Sequence, residues 1–393
     1  MRKILSLVAS ALCAAACIYP YTPDIEEAPE GIMAVDGDIC IGDISWVRLG
    51  PLYSLWPSDE YKGWWGTQFI DATVWVEDDA GERYPGVQYA LPGNSTSYYS
   101  SATFRIDTQS APKNRSYRLC IEALGEMYAS DWNAPIDAPE IESIDFVADE
   151  DNVTVAVTVD GGEHGTGYLL LSYDETWEFH AEFYPNYSYD PRTMGIQEMT
   201  PEGYDEYWCF QYADNGRALP IDYSGMTATG IRAFPLHTFP RSNQRNHRRY
   251  SVNVKAKSIS PATYRFLKTL EESTDGGDNL FTPNPGEIAS NLRCESDPER
   301  TVLGYVVVSC ATTKRAFLDS RYLKSRRPDV GNLLYLLADR YSDYYVRGYL
   351  PLVENTMANY DPSLYGPYGW GPRACYDCIA AGGTKTRPDY WDE

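Results

Sequence analysis

Alternation of apolar and polar positions is the dominant pattern of this chain and predicts short β-strands. In Asn152–Val159 a valine occupies every second position, which favours a half-buried strand. Ala72–Val76 alternates as well, and an Asp- and Gly-containing turn joins it to Arg83–Tyr89, a pattern typical of a hairpin. Further short strands, separated by turn residues about every ten positions, predict a β-sandwich in the first part of the chain.

Helical patterns occur in two places. Ser260 is a suitable N-cap and Pro261 suits the first helical position. The apolar residues that follow recur on one face, so that a helix is predicted near 261–272. Asn332–Tyr345 is a weaker helix candidate, with leucines at 333, 334, 336 and 337.

Changes in composition divide the chain into four parts. Residues 1–16 are predicted to be a signal peptide, and 17–30 an acidic, proline-rich tether that cannot pack. Residues 31–135 are predicted to form the β-sandwich, and 140–393 a second β-rich domain. The predicted fold class is therefore mainly β: an N-terminal Ig-like or prealbumin-like β-sandwich, then a β-rich domain with one or two helices.

The start of the chain has the features of a bacterial lipoprotein signal. Arg2 and Lys3 precede an apolar core at Ile4–Leu12, and Ala14–Ala16 then lead directly to Cys17. This order predicts that Cys17 becomes the acylated N-terminus. The alternative is ordinary cleavage after the alanines, which would leave a secreted protein with a free Cys17.

Composition and charge limit the possible partners. The formal charge of −23 argues against nucleic acid and against an anionic membrane leaflet, because like charges repel. After the signal peptide, no stretch reaches the roughly 18 apolar residues of a membrane-spanning helix. An acyl anchor on a soluble body is therefore the expected arrangement.

Seven cysteines follow Cys17, and an exported chain permits disulfides. Because seven is odd, at least one thiol stays unpaired or pairs between molecules, and Cys310, in an apolar run, is the candidate for a free buried thiol. Cys40 and Cys120 fall in the first predicted domain and are candidates to pair with each other. The other four allow three connectivities, among which the residues do not choose: Cys209, Cys294, Cys375 and Cys378.

A series of motifs, most of them in the second half, carries a resemblance to a known family. The matching segments are Cys17-Ile18, Ala72–Tyr84, Ser258–Glu272, Leu280–Pro285, Asn291–Cys294, Val302–Val308, Cys375–Cys378, Gly382–Thr384 and Pro388–Trp391. In this order they resemble an uncharacterised, domain-of-unknown-function family of Bacteroidota outer-membrane lipoproteins. The C-terminal motifs are the most specific, whereas 319–372 looks like an insertion.

The resemblance implies a context rather than a reaction: a lipid-anchored protein of the outer membrane, which the acidic tether would direct to the cell surface. Members are commonly encoded beside TonB-dependent outer-membrane receptors, which implies an accessory role in capturing ligands for such a receptor. No catalytic residue is carried over from the family. Cys209, Cys294, Cys375 and Cys378 match its cysteine positions, which implies two structural disulfides that pin the C-terminal tail to the second domain.

Two groups of residues are candidates for ligand contact. Tyr365, Tyr368 and Trp370 lie in a stretch rich in Gly and Pro, where aromatic rings offer rigid contact area to a glycan or peptide. Arg245, Arg248 and Arg249 form a positive patch suited to carboxylates. The alternatives are sheet packing for the aromatic residues and a solvated loop, balanced by acidic neighbours, for the arginines.

Sequence motifs of catalysis are missing from the chain. It has neither HExxH nor GxSxG, and the Cys375-x-x-Cys378 spacing lacks the strand and helix context of a redox motif. We therefore predict no enzymatic activity, no cofactor and no bound metal. A cell-surface adhesin or structural interaction protein is the second functional hypothesis, and a polysaccharide or peptide hydrolase the third.

Overall fold

The computed structural model describes residues 33–51, 72–89, 102–123, 125–162, 165–199, 207–215, 218–226, 229–275, 290–319, 333–357 and 360–392. The predictions on the signal peptide, on Cys17 and on the tether therefore lie outside the described residues.

The protein is mainly β, as predicted. The described residues form these strands: β1 (Met33–Cys40), β2 (Ile44–Pro51), β3 (Thr73–Asp78), β4 (Arg83–Gln88), β5 (Ala102–Asp107), β6 (Tyr117–Ala123), β7 (Glu126–Ser130), β8 (Glu140–Ala148), β9 (Asn152–Asp160), β10 (Tyr168–His180), β11 (Tyr187–Asp190), β12 (Gly195–Glu198), β13 (Trp208–Asp214), β14 (Leu219–Asp222), β15 (Gly230–Pro240), β16 (Arg249–Ser258), β17 (Leu292–Cys294), β18 (Val302–Ser309), β19 (Ala311–Asp319), β20 (Leu334–Tyr335), β21 (Leu350–Glu354) and β22 (Tyr368–Gly371).

Two α-helices occur within the described ranges, α1 (Pro261–Asp275) and α2 (Tyr341–Val346). The predicted helix near 261–272 is confirmed as α1, and its cap is the expected one: the Ser260 hydroxyl accepts the Thr263 N–H at 3.0 Å. The second helix prediction was mostly wrong. The leucine-rich part forms β20 and an extended turn at Leu337, and the α-helix begins only at Tyr341.

Nine strands form the largest sheet, in the order β17-β7-β6-β3-β4-β5-β2-β1-β18. The predicted hairpin is present, because β3 and β4 pair as antiparallel neighbours. The sheet curls until its two edge strands approach, and the side chain of Asn291 joins them. Its amide donates to the Val306 carbonyl at 2.8 Å and accepts the Val306 N–H at 2.8 Å. The result is a near-barrel around an apolar core.

This first unit takes strands from both ends of the chain. β1 pairs in parallel with β18, from Met33 opposite Val302 to Cys40 opposite Ser309. The segment 31–135 therefore does not contain the whole sheet. We call β1–β7 with β17 and β18 the first unit.

Most of the second unit is inserted between β7 and β17, but its strand β19 follows β18 in the chain. The unit contains the sheet β13-β10-β16-β19, with β14 on β10, and the sheet β15-β9-β8. The alternation predicted for β9 is confirmed by burial, since all four of its valines are fully buried in the core of this unit.

The C-terminal part of the chain packs on the second unit in two ways. The sheet β20-β22-β21, the hairpin β11-β12 and α2 share an aromatic core of Tyr189, Tyr341 and Trp370. After β22 the chain crosses the edge strand β13, where the backbone groups of Phe210 and Thr384 exchange two hydrogen bonds of 2.8 Å. We call residues 376–392 the C-terminal strap.

Candidate functional site

Arg245, predicted to bind ligand, pairs instead with a carboxylate of the protein itself. Its Nη2 lies 2.6 Å from Oε2 of Glu175, and its Nε donates to both carboxylate oxygens at 3.2 Å. Glu175 also accepts a 2.5 Å hydrogen bond from the Tyr250 hydroxyl, and the guanidinium lies 4.3 Å from the centre of the Trp177 ring. Since the Glu175 side chain is only 2% exposed, this pair belongs to the core of the second unit.

His237 is a further polar neighbour of this carboxylate. Its Nε2 lies 3.4 Å from Oε1 of Glu175 without forming a hydrogen bond. Burial lowers the pKa of His237 and outweighs the opposing charge of Glu175. The imidazole is therefore neutral near pH 7, and the buried charges are those of one carboxylate and one guanidinium.

The two other predicted arginines are also engaged within the protein. Arg248 pairs with Glu178 at 2.6 Å, and its guanidinium lies over the Trp208 ring. Arg249 lies 3.6 Å from a carboxylate oxygen of Asp319, stacks on Phe317 and donates to the backbone carbonyl of Trp391. An external anion would have to displace these partners, so the geometry favours the alternative in which the basic stretch balances acidic neighbours.

The predicted aromatic residues divide into surface and core. Tyr365 is 46% exposed. Tyr368 on β22 is half-buried and packs edge-on against Tyr187. Trp370 is fully buried among Tyr189 and Tyr341. Trp370 is therefore a core residue, and of the three predicted residues Tyr365 is the most available for contact.

One of the expected disulfides is present. Cys209 on β13 is bonded to Cys378 of the C-terminal strap, with a Cα–Cα distance of 5.7 Å. The expected second bond is not formed, because Cys294 lies on β17 of the first unit and Cys375 packs in a different cluster beside β21. The strap is thus pinned to the second unit by a single cross-link.

Among the residues that the structure describes, four buried thiols form no disulfide: Cys40, Cys120, Cys294 and Cys310. The suggested Cys40–Cys120 pair was wrong, whereas Cys310 is the free buried thiol that was expected. Cys40 ends β1, and Cys120 lies on the outer face of β6 beside Trp75. Burial raises the pKa of Cys120 to about 12, so this thiol is protonated and unreactive.

An open cavity of 520 Å³ lies on the first unit, away from all the predicted contact residues. Its walls come from the β3–β4 turn, from the start of β6 and from the segment after β7. The lining residues are Glu77, Asp78, Asp79, Gly81, Ser116, Arg118 and Trp132. The Trp132 ring is 42% exposed, and the Arg118 guanidinium lies 4.8 Å from its centre. The cavity therefore combines one aromatic surface with a mostly polar and charged lining.

Internal ion pairs hold the cavity wall in place. Arg118 donates through Nε and Nη2 to Glu77 at 3.1 and 2.9 Å, and through Nη1 to Glu295 at 3.0 Å. Burial tends to raise the pKa of Glu77, but the hydrogen bonds and charges of Arg118 and Arg83 outweigh it and lower that pKa. Glu77 is therefore ionised near neutral pH.

The turn that forms one side of the cavity is fixed by its own aspartates. Asp78 is buried and accepts the N–H groups of Ala80 and Glu82, each at 2.9 Å. Asp79 accepts the Ser116 N–H at 3.2 Å, which ties the turn to the start of β6. Within the part of the chain that the structure describes, no group of three or more His, Cys, Asp or Glu side chains is arranged to hold a metal ion.

Sequence reasoning missed this cavity because its walls come from three separate segments. The turn at Asp78–Gly81 was recognised only as a hairpin. The available signal was Trp132, a tryptophan between two polar residues just after a strand, where sheet packing does not require a large ring.

Comparison with known proteins identifies a family. A family model described as a domain of unknown function, DUF4249, matches residues 18–315, which is more than half of the chain. The chain belongs to the DUF4249 family. The match includes every residue that lines the cavity, whereas the C-terminal motifs from Cys375 onward lie beyond it. None of the characterised proteins compared with this DUF4249 protein matches it.

Proposed function

We propose that this DUF4249 protein is a non-enzymatic, lipid-anchored binding protein of the bacterial outer membrane. It captures a ligand at the cell surface for a TonB-dependent receptor. The observation that carries the binding role is the open cavity with the exposed Trp132 ring, held by the Glu77–Arg118–Glu295 ion pairs. Such a preformed wall lowers the cost of ordering side chains when a ligand arrives.

The chemistry of the cavity supports binding rather than hydrolysis. A general acid needs a carboxyl group that keeps its proton near neutral pH, and therefore a raised pKa. Glu77 has a lowered pKa and two arginine partners instead. Asp78 is occupied by the turn that it caps.

The cellular location and the partner in this proposal are supported by the sequence. The order of basic residues, apolar core, alanines and Cys17 supports the lipid anchor. The resemblance to Bacteroidota lipoproteins encoded beside TonB-dependent receptors supports the receptor as partner. Within the described residues, no helix is both long enough and apolar enough to cross a membrane.

A cell-surface interaction protein is the second candidate, and exposed apolar side chains favour it. Val346, at the end of α2, is 85% exposed, and Leu364, beside Tyr365, is 65% exposed. Residues of this kind mark protein contacts when they form a continuous patch. Self-association of the purified protein would support this candidate.

The test is a tagged pull-down of the full-length chain from outer membranes solubilised in mild detergent, followed by mass spectrometry. We expect a β-barrel receptor in stoichiometric amount. Replacement of Cys17 by Ser gives the matched control for the anchor, because it removes the acylation site and should move the protein from the membrane to a soluble fraction. Recovery of the wild-type chain alone would contradict a stable receptor partnership.

A further inference from the structure

We propose that the cavity beside Trp132 binds a neutral saccharide. The inference rests on the proposed binding function and names the class of ligand. A sugar ring presents C–H groups on its faces and hydroxyl groups at its edge. The cavity offers one surface for each: the exposed part of the Trp132 ring, and the polar side chains of the β3–β4 turn and of Ser116. The cavity is open to solvent, and its volume of 520 Å³ leaves room for a sugar ring.

The main chain beside Trp132 and one contact of its ring are fixed by bonds within the protein. The neighbouring residue Asn133 exchanges two backbone hydrogen bonds with Tyr117, at 2.9 and 3.0 Å, so the main chain beside the ring is fixed to β6. The Arg118 guanidinium lies against the ring and is itself bonded to Glu77 and Glu295. A rigid aromatic surface binds with little loss of side-chain entropy.

The charges around the cavity argue against an anionic ligand. Arg118 is the guanidinium that lines the cavity, and all three of its bonded nitrogens donate to carboxylates of the protein. Arg83 and Arg115, beside the cavity, pair with Glu77 and Asp79. A ligand carboxylate or phosphate would therefore have to break an existing ion pair to gain a partner.

The same pairs argue against a cationic ligand. Both oxygens of Glu77 accept hydrogen bonds from arginines, at 3.4 Å from Arg83 and at 2.9 and 3.1 Å from Arg118. Asp78 is buried by its turn, and the more exposed Asp79 lies 3.4 Å from Arg115. Glu77 and Asp79 are thus paired with arginines and Asp78 with backbone N–H groups, while their remaining lone pairs still accept hydrogen bonds from hydroxyl groups.

The test compares three ligands of one shape and different charge: methyl glucoside, glucuronic acid and glucosamine. Binding to the full-length protein in mild detergent is followed by saturation-transfer NMR and by titration calorimetry, and methyl galactoside and methyl mannoside extend the neutral set. We expect at least one neutral glycoside to bind, and glucuronic acid and glucosamine to bind with lower affinity. Binding confined to glucuronic acid or to glucosamine would overturn the proposal, as would binding of no sugar.

Substitutions of Trp132 test whether the sugar binds on the ring of this residue. Trp132→Ala should lower the affinity for the neutral sugar about tenfold, since one aromatic contact is lost. Trp132→Phe should recover most of that affinity. Trp46→Ala is the matched control, because Trp46 is also exposed, at 37%, and lies on the same sheet outside the cavity. Equal affinities of Trp132→Ala and wild type would place the sugar elsewhere and overturn the proposal.

The two proposals fail separately. A receptor that co-purifies with a protein that binds no sugar would refute the saccharide site and leave the accessory function standing. Sugar binding that depends on Trp132, without a co-purifying receptor, would support the site and refute the stable partnership.

Discussion

The two units of this DUF4249 protein protect their sheet edges in different ways. The first unit brings its edge strands together and joins them through the side-chain amide of Asn291, which pairs with both backbone groups of Val306. The second unit leaves β13 at an edge, and the C-terminal strap covers it. Within the described residues, backbone-to-backbone hydrogen bonds join the strap to β13 at Phe210 and Thr384 only, so few main-chain hydrogen bonds hold it there. The disulfide to Cys209 lies where a further tie is needed.

The cores of the two units differ in their buried polar groups. The buried polar groups of the first unit are mainly hydroxyls, such as Ser45 and Thr108, which bond to each other at 2.6 Å. The core of the second unit encloses the Glu175 carboxylate and its guanidinium partner. Both units therefore depend mainly on apolar packing, and the second depends in addition on a buried ion pair.

The largest expected effect is the loss of the buried charge pair. Glu175→Ala leaves the Arg245 guanidinium without its carboxylate in a mostly buried position, and removes the acceptor of the Tyr250 hydroxyl. We expect the free energy of unfolding to fall by about 3–5 kcal/mol, as for other buried pairs that lose one partner. Urea unfolding followed by tryptophan fluorescence measures it.

Glu178→Gln is the matched control on the same strand. Glu178 pairs with Arg248, whose side chain is 59% exposed, so the change should cost less than about 1 kcal/mol. Equal losses in the two variants would show that the burial of Glu175 has no special weight.

The second effect is the loss of the strap's cross-link. The bonded cysteines are 169 residues apart, and replacing both with Ala in the double variant Cys209→Ala/Cys378→Ala should destabilise the protein by about 2–4 kcal/mol. Reductant should lower the thermal midpoint of the wild type and leave the double variant unchanged. Cys375→Ser, which alters a free thiol, should still respond to reductant. A wild-type protein whose thermal midpoint does not change with reductant would contradict the role of this bond.

The third effect tests how the first unit closes. Asn291→Ala leaves the N–H and the carbonyl of Val306 without their side-chain partner, and we expect a loss of about 1–3 kcal/mol in the free energy of unfolding. Asn291→Asp keeps the acceptor for the N–H and should lose less. Asn133→Ala is the control, because its side chain makes an exposed hydrogen bond to the Asp131 carbonyl. Hydrogen exchange at Val306 would show whether the edge opens.

The sequence was informative where structure is local. The valine alternation of β9, the β3–β4 hairpin and the Ser260 cap of α1 each depend on neighbouring residues, and all three are present in the structure. The pairing of β1 with β18 joins residues more than two hundred positions apart, and no periodicity within either strand encodes it.

The candidate site was not accessible from sequence for the same reason. The residues around Trp132 meet only after β3, β6 and the segment beyond β7 become neighbours in the sheet. Clustering along the sequence favoured the arginines and the aromatic stretch near the C-terminus instead. In the folded protein, Arg245 and Trp370 from those clusters are parts of the core.

The smallest expected effect is a pH dependence in the second unit. The His247 ring stacks on His180 with centroids 4.2 Å apart, and burial, followed by the nearby His180, lowers the pKa of His247 from 6.5 to about 4. The unfolded chain takes up this proton near its ordinary pKa, whereas the folded protein does so only near pH 4. The contribution of His247 to the free energy of unfolding is therefore fully present above about pH 6.5 and is lost as the pH falls toward 4.

His247→Phe isolates this contribution, because it keeps a ring in the stack and removes the titrating group. The free energy of unfolding should change by less than about 1.4 kcal/mol per pH unit. One proton sets that limit, and the His247 ring is partly exposed to solvent. Urea unfolding across this range should give a flatter profile for the variant than for the wild type. Parallel profiles would assign the acid sensitivity to carboxylates of either unit, and the contrast between the two cores would then not extend to pH.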